Sequence, residues 1–153
     1  MALELKSRAF SSGANIPREY TCDALDISPD LSWSGIPTQT VSLALICDDP
    51  DAPMGTWVHW VLYNIPAEAG ALAQDLPKTG VLKDGSRQGF NDSGKLGFSG
   101  PCPPPGKPHR YFFKLYALDS KLEIPGTATK EKLLAAMQGH VLAEASIMGM
   151  YKR

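Results

Sequence analysis

An acidic corner stiffened by prolines, set between two apolar runs, constrains this chain more than any other stretch: VSLALICDDPDAPMGTWVHWVLYNIP, residues 41–66. From Val41 to Cys47 the sequence alternates by twos, so Val41, Leu43, Leu45 and Cys47 share a face. That is the pattern of a half-buried strand. The run ends in Asp48, Asp49, Pro50, Asp51, Ala52 and Pro53. Proline removes a ladder donor, so a central strand cannot continue through it. A second run, Trp57 to Asn64, places Trp57, His59, Val61 and Tyr63 on one face by the same alternation. The stretch reads as a strand, a rigid acidic corner and a histidine-bearing strand, hence a site held by a sheet.

At 153 residues the chain fits one domain with a real core. A net charge of -1 and a pI near 6.3 argue against a general nucleic-acid binder, which would carry a basic stripe. No run approaches the ~18 uninterrupted apolar residues of a membrane span. The opening MALELKSRAF lacks a basic segment followed by an apolar one, so a cytoplasmic location is expected. Fourteen glycines and thirteen prolines exceed their average share of about 12% and suit a turn-rich all-β domain. Cys22, Cys47 and Cys102 are odd in number and lack zinc-knuckle spacing. Reduced, buried thiols are the favoured reading, and one disulfide plus a free thiol is the alternative.

Leu3 to Phe10 alternates as a first strand, and a short strand is expected near Leu31 to Trp33, with Trp33 as a core anchor. Ala67 to Val81 is a weakly patterned connection with room for one helical turn. Val81 to Gly106 is rich in glycine and proline, but Phe90, Leu96 and Phe98 give it groups to bury. An ordered loop wrapping back over the sheet is expected. Arg110 to Leu118 is the clearest strand, with His109, Tyr111, Phe113, Leu115 and Ala117 on one face. Thr129 can cap a helix running through Gln138, Gly139 ends it, and Val141 to about Met148 reads as a second short helix. The fold class is therefore mainly β, an antiparallel β-sandwich with a few short helices, two of them near the C-terminus.

Two segments each bring a histidine on a strand face beside a proline-stiffened loop. The first offers Asp49, Asp51 and His59; the second offers Gly100, Pro101, His109 and Tyr111. Side by side, they would form a small polar cavity. A phosphate-like anion wants converging donors, namely imidazole and loop N–H groups and a phenol. A carboxylate there would accept a histidine's second N–H, fixing the tautomer and raising the imidazole pKa. Anion binding should then strengthen as pH falls. Arg110 points to the opposite face, where an ion pair with a carboxylate is expected, and His140 caps or packs between the C-terminal elements. Ser99 has no nucleophile elbow around it.

The sequence resembles the phosphatidylethanolamine-binding protein family, also called Raf-kinase-inhibitor-like proteins. The resemblance rests on Asp49-Pro50-Asp51-Ala52-Pro53, Trp57-Val58-His59-Trp60, Gly100-Pro101-Cys102-Pro103-Pro104 and His109-Arg110-Tyr111. Ser28-Pro29, Leu31-Ser32-Trp33 and the ending Gly149-Met150-Tyr151-Lys152-Arg153 resemble its shorter prokaryotic branch. The resemblance implies an anion pocket at one edge of a β-sandwich, lined by Asp49, His59, Gly100, His109 and Tyr111. Asp51, Pro53, Trp57 and Pro101 would support it. Asp30, Ser93 and Phe98 depart from the family pattern, in ways that touch loop packing and one hydroxyl at the rim. Two histidines and a carboxylate also suit an iron or zinc triad. The spacing lacks HExxH logic and the family pocket is an anion site, so neither metal nor cofactor is expected.

The implied role is a non-enzymatic module that binds a small anion (phosphate, phospholipid headgroup or phosphorylated group) and regulates a kinase or other signalling partner. One alternative is a serine protease inhibitor acting through the pre-stiffened Gly100–Pro108 loop. Another is a weak hydrolase with His59 or His109 as general base. The resemblance allows a homodimer, which no residue specifies.

Overall fold

The computed structural model describes residues 2–153. In chain order the elements are β1 (Glu4–Lys6), β2 (Leu31–Ser34), β3 (Ser42–Asp49), β4 (Trp57–Pro66), β5 (Ala71–Leu72), β6 (Arg87–Gln88), β7 (His109–Leu118), α1 (Lys130–Met137) and β8 (Val141–Tyr151). Single 3-10 turns at Arg18–Tyr20 and Ala67–Ala69 complete it, the second within the connection where one helical turn was expected. The strands form two antiparallel sheets, in the orders β1-β2-β5 and β6-β4-β3-β7-β8. Leu5, Trp33 and Leu72 of the small sheet share one buried cluster with Leu43, Leu45, Trp60 and Phe113 of the large one. Trp33 is the core anchor its sequence context implied.

Four expectations are corrected. β3 is buried along its whole length rather than on one face. Its Leu43, Leu45 and Cys47 meet the small sheet's cluster, while Ala44 and Ile46 pack with Leu133 and Met137 of α1. A nearly continuous apolar run is the mark of such two-sided burial.

Second, residues 141–148 are strand, so one helix stands near the C-terminus instead of two. Thr129 caps α1 as expected, accepting from the Lys132 amide at 3.3 Å. Beyond Gly139, however, helix formers such as Leu142, Ala143 and Glu144 lie along β7 from Leu118 to His109. Without β8, the row of N–H and C=O groups on that side of β7 would be unpaired, and sheet pairing outweighs local propensity.

Third, the first strand is three residues, not eight: Asp30 accepts the Arg8 amide at 3.1 Å and draws the chain away after Lys6. Fourth, Cys22 and Cys102 form a disulfide, leaving Cys47 as a buried free thiol. The partners lie 80 residues apart on loops that meet only in the folded chain.

The long loop is ordered, as expected. Phe98 is buried edge-on to Trp60, with ring centroids 5.5 Å apart, so it fills the core and does not stand at a rim. Among the described residues no helix is long and apolar enough to cross a membrane.

Candidate functional site

The sheet gathers the sequence's histidines at one end. β7 keeps its predicted alternation, with His109, Tyr111, Phe113, Leu115 and Ala117 buried on one side. β4 does not. Asp48 pairs with Val58 but Cys47 pairs with Trp60, so β4 carries one extra residue at this point. The consequence is a β-bulge, which re-aims a side chain and interrupts the alternation. Val58, Val61 and Tyr63 pack in the α1-side cluster and Trp60 in the other, while His59 lines a cavity beside Tyr111. His59 therefore does not share a face with Val61 and Tyr63, contrary to the simple alternation.

The cavity has a volume of about 220 Å³. At ~30 Å³ per water that is room for a handful of waters or one small anion. Asp49, His59, Gly100, His109 and Tyr111 all line it, as do Pro53 and Trp57 at its mouth. Tyr111 stands between the imidazoles, its ring centroid 5.2 Å from that of His59 and 6.4 Å from that of His109. Pro101 is buried behind the wall, where its carbonyl accepts the Cys22 amide at 3.1 Å.

The hydrogen bonds fix the tautomers. His109 Nδ1 donates to Asp49 Oδ2 at 2.7 Å, and His59 Nδ1 donates to the Ser99 carbonyl at 2.6 Å. Ser99 returns its own amide to the His59 carbonyl at 3.0 Å, so ring and backbone are clamped together. A carbonyl oxygen can only accept, and a carboxylate likewise. Each neutral ring therefore keeps Nε2 as a lone pair, and only a protonated ring offers Nε2–H.

Asp49's other oxygen accepts the Asp51 amide at 2.7 Å, a local turn bond that shapes the acidic corner. Burial pushes the His59 pKa below the usual imidazole range, the Ser99 carbonyl and the Asp49 charge opposing it. Burial likewise pushes the Tyr111 phenol well up, with the Asp49 charge adding to it. Tyr111 thus stays a hydroxyl donor at any ordinary pH.

The Gly100 amide is already taken, donating to Asp26 Oδ1 at 2.6 Å. Pro103 and Pro104, next to it on the same wall, have no N–H. Between Gly100 and Pro104, Cys102 is thus the residue whose amide has no hydrogen-bond partner among the described residues. The sequence reading missed Asp26, Ser99 and Cys102, since each acts through backbone or long-range pairing that no local pattern announces.

Asp51 does not line the cavity. It accepts from Arg110 three times, at the backbone amide, Nε and Nη2, each at 2.9 Å. This is the ion pair expected for Arg110, and it fastens the corner to the start of β7. The Arg110 hydrogen bonds hold the Asp51 carboxyl down at about 2. A depressed carboxyl stabilises the fold above its unfolded value near 4, and that stabilisation is lost as pH falls through about 2. Asp51→Asn is therefore expected to lower the urea midpoint at pH 7, with a gap to wild type that narrows between pH 4 and 2. An equal gap at both ends would mean the charge contributes nothing. His140 donates Nδ1 to Asp119 at 2.7 Å and so packs at the β7–β8 connection, far in sequence from the cavity.

Among the described residues no group of three or more His, Cys, Asp or Glu is placed to hold a metal ion. Ser99 meets His59 through its carbonyl and not its hydroxyl, so these two do not form a nucleophile–base pair.

An edge cavity lined by two histidines, a tyrosine and an aspartate, on the bulged end of an antiparallel sheet, defines a ligand-binding class of β protein. The chain belongs to the phosphatidylethanolamine-binding protein family, whose model matches residues 6–152. It falls in the prokaryotic branch. A UPF0098 protein of Methanothermobacter thermautotrophicus is 56% identical over 151 residues, covering 99% of both chains. One from Aquifex aeolicus is 48% identical, covering 99% of this chain and 89% of its own. Among solved structures, a phosphatidylethanolamine-binding protein homologue of Chlamydia trachomatis superposes with a TM-score of 0.91 at 42% identity, over 99% and 98% of the two chains. Escherichia coli YbcL, described as a member of the mammalian family, gives 0.92 at 33% over 100% and 99%. Membership supports a ligand-binding or regulatory role.

Proposed function

We propose that this protein is a receptor for a small anionic group, phosphate or a phospho-headgroup, held by His59, His109, Tyr111 and the Cys102 amide. The observation that carries the reading is the pair of committed Nδ1 atoms. They turn both Nε2 atoms into cation-gated donors beside a permanently protonated phenol. Asp49 does not touch the anion; it orients His109 through the Nδ1 hydrogen bond. Pro53 and Trp57 shape the mouth, and Asp51 braces the corner from outside.

His109→Ala is expected to weaken binding of inorganic phosphate at pH 6 by at least about tenfold, since one charge-assisted hydrogen bond contributes ~1.5–3 kcal/mol. Calorimetric titration of variant and wild type would show it, and equal affinities would reject the site.

A regulatory action on a kinase or other signalling partner follows if the bound group belongs to that partner. A second reading, inhibition of a protease, is favoured by one observation: residues 104–108 are exposed on a loop that the Cys22–Cys102 bond ties at its root. His109→Ala separates the two readings, because loop-mediated inhibition would survive it.

A further inference from the structure

The two cysteines that share the disulfide are both exposed, and Cys102 lines the anion cavity. Their surroundings differ. Arg153 brings Nη1 to 3.6 Å from Cys102 Sγ. The same guanidinium reaches Asp23 with Nε at 3.3 Å, and Tyr151 donates its hydroxyl to the other Asp23 oxygen at 2.5 Å. Asp23 directly follows Cys22 in the chain. A guanidinium beside a sulfur favours the thiolate, whereas a neighbouring carboxylate opposes it. The sulfur whose thiolate is better stabilised leaves faster in exchange. Cys102 is thus the natural leaving group and Cys22 the sulfur that is attacked.

We propose that Cys22–Cys102 is a thiol-exchange site at the mouth of the cavity, through which a dithiol reductant sets the anion affinity; this rests on the anion-receptor reading above. The reductant's thiolate attacks Cys22 Sγ. The protein S–S bond breaks, its electron pair departs on Cys102 as a thiolate, and a new S–S bond joins Cys22 to the reductant. The second thiol of the reductant, deprotonated, then attacks its own sulfur in that mixed disulfide. Cys22 is released as a thiolate that takes up a proton, and the reductant leaves as an internal disulfide. Two electrons pass to the protein, and the dithiol's two protons end on Cys22 and, depending on pH, on Cys102 or in solvent.

Two effects on the cavity follow, and both weaken anion binding. The Cys102 thiolate puts negative charge on the wall facing the anion. The Cys102 amide, the free donor on that wall, is no longer pinned to the Cys22 turn. The reverse exchange restores both: the Cys102 and Cys22 thiols pass two electrons to an internal disulfide, which leaves as the dithiol while the protein S–S bond re-forms.

The test uses the full chain and sulfate, which does not titrate near neutral pH. Calorimetric titration at pH 7 is run on the oxidised protein, on protein reduced with dithiothreitol, and on a Cys22→Ser/Cys102→Ser double variant. Oxidised protein is expected to bind at least about fivefold more tightly than reduced protein, and the double variant to be indifferent to dithiothreitol. Equal affinity of the two redox states overturns the proposal and leaves the receptor reading intact, as does a response in the double variant. No sulfate binding in either state rejects the receptor reading itself. A separate arm treats oxidised protein with the monothiol 2-mercaptoethanol, quenches with iodoacetamide and maps peptides by mass. The mixed disulfide is expected on Cys22 and the alkyl group on Cys102, and the opposite distribution overturns the assigned direction of exchange.

Discussion

Sulfate is expected to bind this protein far more tightly at pH 6 than at pH 8. Both Nδ1–H groups are spent, on Ser99 and on Asp49, so each imidazole that contacts the anion must take up a proton at Nε2. Above an imidazole's pKa its protonated fraction falls by about tenfold per pH unit. His59, whose charged form burial disfavours, gives on its own an affinity loss of more than about tenfold between pH 6 and 8. The sign is fixed: binding takes up protons, so affinity rises as pH falls and levels once the rings are charged. For His59 the levelling lies at lower pH, because burial disfavours its charged form. Sulfate keeps its charge across this range, so the profile reports the protein. A flat profile would mean that neutral rings suffice and that the tautomers are other than the hydrogen bonds dictate.

Gly100→Ala is the second large effect. A Cβ at this position would overlap the Tyr20 carbonyl oxygen and lie 2.5 Å from Asp26 Oδ1 and 2.9 Å from Thr21 Cα. Two of those three neighbours are backbone, so the strand of contacts must shift as a unit. Overpacking of this kind costs about 3 kcal/mol, and the Gly100–Asp26 hydrogen bond is disturbed with it. For a chain of this size that lowers Tm by about 6–12 °C. Gly80→Ala is the control: the nearest atom to its Cβ is Leu96 Cδ1 at 3.9 Å, and a change within about 0.5 kcal/mol is expected. Similar melting curves for the two variants would show that the Gly100 wall is pliable, and a ligand could then remodel it.

How much of this was visible in the sequence differs from residue to residue. The alternation through Tyr111, Phe113 and Leu115 was legible because β7 is regular and one side of it is core throughout. The Asp49–Pro53 corner was legible because prolines limit what a chain can do. The bulge at His59 was not, since an extra residue changes pairing without altering composition. The β8 segment was misread for a related reason: Leu142, Ala143 and Glu144 carry a local helical preference, and the requirement that overrules it belongs to β7. The Cys22–Cys102 bond and the Asp26–Gly100 contact join positions more than seventy residues apart. Pairings of that kind exist only once topology has brought the loops together. Family resemblance supplied the membership of the cavity wall, but not which wall amides are already occupied.

Asp48 and Asp49 are consecutive on a strand, so they face opposite sides of the sheet. Asp49 turns to His109, while Asp48 is buried between Lys114 Nζ at 3.1 Å and Lys130 Nζ at 2.8 Å. A slip of β3 by a single position would move one acid into the other's place, leaving either the imidazole without its acceptor or the two lysines without their carboxylate. The doublet therefore penalises a shifted register. Only the native alignment gives both carboxylates their partners, one on each side of the ribbon.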